Sequence, residues 1–313
     1  MPAHKFTSVN LREARLEDVA PLINMAMFGK KGAGKSTCMQ YTCLSLHRQK
    51  RYANFILVSS NHDAAMQWGK VIPKLYIHTK PDPNYVVAVK DYMNGEIQKD
   101  REVYVRKHGS DDGYHVPYHL RTLWIFEDVG PLKKFMFHPI FADIMSNCRH
   151  YGFGTAWLCQ YWHQMPLQNR TQLDVIAVMK TPSSKNCRKV YDEFVDDTMC
   201  TYRTFRYIMN SATKERGCCL WLDNMTQDAT RIEDKVFFKR IPFPLVLHLV
   251  GSQKYREVAE ERDRRVVTEK ARLAAQHHQR PHSPVAPSEM HVKEDKFHDM
   301  AGTCVIRRTP FLG

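Results

Sequence analysis

No stretch of this sequence approaches the roughly 18 uninterrupted apolar residues that a helix needs to cross a bilayer. Its first thirty residues carry charges throughout and hold no apolar signal core. A membrane-spanning or secreted protein is therefore not expected. Cysteine occurs nine times, at Cys38, Cys43, Cys148, Cys159, Cys187, Cys200, Cys218, Cys219 and Cys304, never as Cys-x-x-Cys and in an odd total. That spacing speaks against a disulfide frame or a zinc site and for reduced thiols in a cytosol-like compartment. No segment repeats another, so a repeat array is not expected. What the chain does have is length and positive charge. Its 313 residues, 43% hydrophobic, suit one large α/β domain with appendages. A net charge of +13 points to a polyanionic partner, nucleic acid first.

One short run carries specific chemistry. "FGKKGAGKST", residues 28 to 37, has Gly29, four residues, then Gly34, Lys35 and Ser36, the phosphate-binding loop pattern without a gap. Glycines let successive N–H groups turn toward one anion, and the helix that follows offers its positive end. Lys35 reaches the β and γ phosphates, and the Ser36 hydroxyl ligates Mg²⁺. Gly29, Lys30, Lys31, Gly32, Ala33, Gly34, Lys35, Ser36 and Thr37 are thus the candidate nucleotide cradle, with ATP and Mg²⁺ as cofactors. The context fits: an apolar run at 21–28 reads as a buried strand, and 35–50 places Met39, Cys43 and Leu46 at helical spacing. No Asn-Lys-x-Asp guanine motif occurs, which weakens a GTPase reading.

Further strands are expected at 54–60, more weakly at 74–79, and at 122–130, 154–160 and 174–180. Helices are expected over 83–108, interrupted near Gly95, and over 138–150; 109–121 reads as a solvated turn. This alternation predicts a P-loop NTPase of α/β class, with a largely parallel central sheet and helices on both faces.

The strand "LWIFED" ends in Glu127 and Asp128, at the end of an open α/β sheet where ligands bind. One carboxylate can hold Mg²⁺ through water while the other orients and deprotonates the attacking water. Gln160, at the tip of the next strand, is placed to touch the γ-phosphate or that water. Arg149 and Arg170, near strand ends on either side of Gln160, are candidates for an arginine that completes a neighbouring subunit's site.

With "FGKKGAGKST" and "LWIFED" before it, the run "NCRHYGFGTAWLCQYWHQMPLQNRTQLDVIAVMK" (147–180) resembles the genome-packaging ATPases of large nucleocytoplasmic DNA viruses, members of the FtsK/HerA superfamily. The residues that carry the resemblance are Asn147, Arg149 and His150, then Gln160, then Pro166, Arg170 and Asp174. It extends over about residues 22 to 240, including a helix and strand at 203–224 before a last core hairpin. The resemblance implies an additional-strand ATPase that forms a ring and drives double-stranded DNA into a preformed capsid, with capsid or portal components as partners. It places the protein in the host cytoplasm or viral factory, with virion association a further option. By position, Glu127 aligns with the metal-side carboxylate and Asp128 with the base. A helicase or conjugation-type pump shares the same pocket; a non-hydrolysing DNA-binding structural protein and a nucleotide kinase are the other readings.

The expected organisation is an N-terminal arm (1–20), the ATPase domain (21–250), a charged helix (251–280) and a disordered tail (281–313). In that helix Glu260 with Arg264 and Glu261 with Arg265 stand at i,i+4. His277, His278 and His282 have no accompanying carboxylate or cysteine shell, so a flexible basic tail is preferred to a metal site.

Overall fold

A computed structural model of the chain describes residues 11–15, 22–180, 183–195, 197–226, 229 and 231–278. The expected arm lies largely, and the expected tail with His282 wholly, outside the described residues. Eight strands form one sheet: β1 (Asn24–Phe28), β2 (Asn54–Ser59), β3 (Ile77–His78), β4 (Thr122–Glu127), β5 (Phe153–Cys159), β6 (Val175–Val178), β7 (Cys218–Asp223) and β8 (Val236–Arg240). Their order is β3-β2-β4-β5-β1-β6-β7-β8. The first six run parallel, and β7 and β8 close one side as an antiparallel hairpin. Every residue of β1, β2, β4, β5 and β6 is buried. That is why these strands read as continuous apolar runs rather than alternating ones: helices cover both faces of a parallel sheet. The α/β expectation holds, and β5 is the additional strand, standing between the loop-bearing β1 and the acidic β4.

The connecting helices are α1 (Lys35–Arg48), α2 (His62–Gln67), α3 (Pro83–His108), α4 (Lys133–Met136), α5 (Pro139–Ser146), α6 (Leu167–Arg170), α7 (Ser184–Phe194), α8 (Tyr202–Ala212) and α9 (Ile232–Lys235), and α10 (Gln253–His278) follows the last strand. Three expectations need correcting. Helix α3 runs unbroken through Gly95, where an added Cβ would meet nothing. The cost of that glycine, about 1 kcal/mol against alanine, is outweighed by the buried stripe Val86, Met93 and Ile97 and by an Asp82 side-chain cap with Pro83 in the first turn. Residues 74–79 are mainly a 3₁₀ turn, with only Ile77 and His78 in the sheet. The segment 109–121 is solvated only in its first part. Val116 and Leu120 are buried, and the Tyr114 hydroxyl donates to Asp100 at 3.0 Å.

Contacts divide the chain after Ala259. The main unit thus reaches past the expected limit at Val250. Tyr255 is buried, stacks on Tyr76 at 3.8 Å and donates its hydroxyl to the Phe55 carbonyl. The second unit begins at Glu260 with exposed helix, where Arg265 pairs with Glu261 and Arg272 with Glu269. Near the start of the chain, Ala14 N–H donates to Phe238 O at 2.8 Å and Phe238 N–H to Arg12 O at 3.1 Å, so residues 11–15 lie along β8.

Candidate nucleotide site

Register brings the expected residues together. Glu127 pairs with Ser59 on one side and with Leu158 on the other, while Phe28 pairs with Cys159. The phosphate loop after Phe28, the acidic pair and Gln160 therefore emerge at the same end of the sheet. Gly29 N–H donates to Cys159 O at 3.3 Å, and a Cβ at Gly29 would stand 2.7 Å from Met179 Cβ, so only glycine lets the loop leave β1 against the end of β6. Gly32 (φ 76°) and Gly34 (φ 95°) take left-handed turns that other residues resist. Lys30 and Lys31 are exposed, whereas Lys35 is buried and its ammonium donates to the carbonyls of Gly29 at 2.7 Å and Lys30 at 3.3 Å. Burial pulls the Lys35 pKa down, opposed by Asp128, Cys159 and Glu127.

The two carboxylates differ sharply. Glu127 is 4% exposed. One of its oxygens accepts from the Ser36 hydroxyl and the other from the Trp68 indole N–H at 2.7 Å. Burial raises its pKa, opposed by those two hydrogen bonds and by Lys35. Asp128 is half-buried and adopts φ 53°, a conformation shared by only one other non-glycine residue described, Lys50. That left-handed turn directs the chain away from the strand, with Asp128 O accepting from the Ser60 hydroxyl at 2.5 Å and its carboxylate facing the Asn61 amide at 3.5 Å. Asp128 lines a cavity of about 210 Å³ with Ser60, Asn61, Gly130, Gln160 and Gln164. Gln164 ties this region together: its amide oxygen accepts from the N–H groups of Gln160 (3.0 Å) and Tyr161 (3.1 Å), and a Cβ at Gly130 would meet its side chain at 2.6 Å.

These residues fit a divalent cation. Ser36 and Glu127 offer hard oxygen donors in direct contact beside the loop. Among the described residues no cluster of three or more His, Cys, Asp or Glu could hold a metal. Such a cation would thus need phosphate oxygens to complete its shell.

The two arginines fall elsewhere. Arg149 precedes β5 and is exposed at the opposite end of the sheet, where its charge acts on Asp174 to oppose the rise that burial gives that carboxyl. A strand of that length separates it from its own chain's loop by on the order of 20 Å. Arg170 is engaged within its own chain: its guanidinium pairs with Glu193 at 3.0 Å, donates to Met165 O at 3.1 Å and Trp162 O at 3.3 Å, and lies over the Trp162 ring. A side chain held by three partners is poorly placed to reach another subunit. Sequence reasoning missed Trp68, Asn61, Gln164, Arg216 and Phe243. None stands in a motif; an indole nitrogen that must find an acceptor when buried is the one signal Trp68 gave.

The order of the strands and the residues at their tips define a P-loop NTPase with an additional strand between its phosphate loop and its acidic pair, a nucleotide-binding ATPase fold. Residues 10–191, more than half of the chain, match the poxvirus A32 protein family, and the chain belongs to that family. No curated protein sequence matches significantly. Among solved structures, it is similar to the genome packaging NTPase B204 of Sulfolobus turreted icosahedral virus 2 in complex with ATP-gammaS (16% identity over 72% of this chain and 100% of that one, TM-score 0.46). It is also similar to B204, the DNA-packaging ATPase of Sulfolobus turreted icosahedral virus (13%, 70% and 98%, TM-score 0.44). A third is the pCW3 conjugation coupling protein TcpA (13%, 70% and 60%, TM-score 0.47). Among the described residues no helix is long and apolar enough to cross a membrane.

Proposed function

We propose that the protein is an ATP-driven motor that moves double-stranded DNA into a preformed viral capsid as a ring of copies, acting in the host cytoplasm or viral factory. The observation that carries this is the meeting of Lys35, Ser36, Glu127, Asp128 and Gln160 at one end of the sheet, in a chain of the poxvirus A32 family. The motif order shared with packaging ATPases supplies the DNA and capsid part of the reading.

In this mechanism the loop N–H groups and Lys35 bind the phosphates of ATP. Ser36 and Glu127 would hold Mg²⁺, which when bound would neutralise phosphate charge. Trp68 fixes the Glu127 carboxylate through its second oxygen. Asp128, held more loosely, by the Asn61 amide at 3.5 Å, accepts the proton of the attacking water in the neighbouring cavity, where Gln160 orients it. Arg149, exposed and far from its own loop, supplies charge to the site of the next copy. Gln164, joined to both the Gly130 and Gln160 segments, passes a change at the γ-phosphate position to the loops that would grip DNA.

ATP hydrolysis measured with duplex DNA, single-stranded DNA or neither, across a salt series, tests the reading. Duplex DNA should stimulate turnover, and its affinity should fall by about 0.9 log unit per phosphate contact per decade of salt, whatever the base sequence. Stimulation by single strands alone would favour a helicase or conjugation-type pump, and phosphoryl transfer to a nucleoside monophosphate would favour a kinase.

A further inference from the structure

Against the phosphate loop lies a second cleft, of about 280 Å³, that Glu127, Asp128 and Gln160 do not line. One wall is the loop itself and the first turn of α1, from Gly32 to Cys38; the others are Gln67, Arg216, Gly217, Ile241 and Phe243. Hairpin topology builds it. Because β7 runs antiparallel to its neighbours, the residues just before it and those just after β8 come out at the loop end of the sheet, where Ile241 N–H donates to Gly217 O at 2.8 Å.

Three features of this cleft point to a flat aromatic ligand. Phe243 is 53% exposed, a large ring turned to water at the mouth of a pocket. The Arg216 guanidinium stands 6.0 Å from the centre of that ring, and no carboxylate among the described residues pairs with it; its neighbour Glu215 is paired instead with Arg240 at 3.0 Å. Gly217, at φ 81°, clears the ground beneath: a Cβ there would stand 2.3 Å from Phe243 Cε2. A glycine that keeps a ring against the backbone, with a cation alongside, makes a π platform next to a phosphate cradle.

Resting on the nucleotide reading above, we propose that Phe243 and Arg216 form the nucleoside subsite, with the base stacked on the Phe243 ring and flanked by the Arg216 guanidinium. Stacking and cation–π contact read the face of a base rather than its edge. Selecting guanine calls for a carboxylate acceptor for its N1–H and N2–H donors, and among the described residues no Asp or Glu lines the cleft. Among the described residues the side-chain amide there, Gln67, both donates and accepts and so can serve either purine. The protein therefore accepts purine nucleoside triphosphates as a class, with little discrimination between ATP and GTP.

Equilibrium binding of ATP, GTP and inorganic tripolyphosphate to the full chain and to Phe243→Ala, Phe243→Leu and Phe243→Tyr tests this, since tripolyphosphate engages the loop without a base. ATP and GTP should bind the unaltered protein within about tenfold of each other, and removal of the ring in Phe243→Ala or Phe243→Leu should weaken both about tenfold to hundredfold. Phe243→Tyr should keep the affinity, and tripolyphosphate should bind all four proteins alike. The leucine variant retains apolar bulk, so a folding defect in the alanine variant does not obscure the result. The subsite is overturned if ATP affinity survives loss of the ring, if tripolyphosphate is lost in step with ATP, or if the unaltered protein prefers ATP over GTP by about a hundredfold or more. Failure of the unaltered protein to bind either ATP or tripolyphosphate would instead overturn the nucleotide reading on which the subsite rests.

Discussion

At the end of the sheet where β1, β5 and β6 begin, polar groups are as buried as those where β1, β4 and β5 finish, but their partners differ. At the first end Asn24 is fully engaged. Its N–H donates to Asp174 at 2.8 Å, its amide nitrogen to Met145 O at 2.8 Å and Gln172 O at 3.2 Å, and its amide oxygen accepts from Thr155 at 2.8 Å. The Tyr52 hydroxyl accepts from Ile23 N–H at 3.0 Å alongside. At the second end Glu127 has its pKa raised by burial, Lys35 has its own lowered by burial and turns back on loop carbonyls, and Asp128 sits in a left-handed turn beside a cavity. A polar network built mainly of neutral groups and satisfied from within fixes register; one that buries opposed charges with shifted pKa values is arranged for a ligand. The family-like residues divide the same way, with Gln160 at the ligand end and Asn147, Arg149 and Asp174 at the other.

The largest expected effect breaks the comparison at the ligand end. Asp128→Asn should bind Mg-ATP but turn it over at least about 10²-fold more slowly, the usual size of a general-base contribution, with an unchanged melting temperature. Single-turnover hydrolysis alongside thermal melting checks this; a Glu127→Gln enzyme with the same signature would exchange the two roles. The mirror experiment is Asn24→Ala. It strands two carbonyls and the Thr155 hydroxyl, and should cost about 2–3 kcal/mol of unfolding free energy while leaving turnover per folded molecule unaltered. A loss of turnover without loss of stability would mean that the far end takes part in chemistry.

The last effect, absent above pH 6.5 and confined to acid, sharpens the contrast, because it concerns an unpartnered group at the ligand end that no chemistry uses. The His78 ring lies tilted against Tyr85 with centroids 4.0 Å apart, its Nε2 has no partner among the described residues, and burial lowers its pKa to about 4. The unfolded chain, with the ordinary value near 6.5, takes up a proton that the folded chain refuses. Stability should therefore be flat above pH 6.5 and fall between there and about pH 4, by up to about 3 kcal/mol. Urea unfolding across that range should show the slope in the native chain and lose part of it in His78→Phe.

Much of the ligand end was legible in the sequence because its chemistry is local. The loop pattern, the acidic tip of β4 and Gln160 are each contiguous with a strand, and burial on both faces made those strands plain. What escaped was set by distance along the chain. Trp68 meets Glu127 from 59 residues away, and Arg216 meets Phe243 only because β7 turns antiparallel. Arg170 looked like a free loop cation until Glu193 and Trp162 closed on it. Gly95 looked like a break because local propensity is a weak force beside the buried stripe of α3.

The five residues that lie along β8 have a consequence for assembly. An open sheet edge exposes unpaired N–H and C=O groups to any strand that passes, a second copy of the chain included. Here Arg12 and Ala14 take up the groups of Phe238, and the Lys239 ammonium donates to Ala14 O at 2.7 Å. The opposite edge, β3, offers only two residues. In the ring proposed above, copies would thereby be steered away from strand exchange and toward contact through helices and loops, surfaces that could slide and reseat as nucleotides come and go.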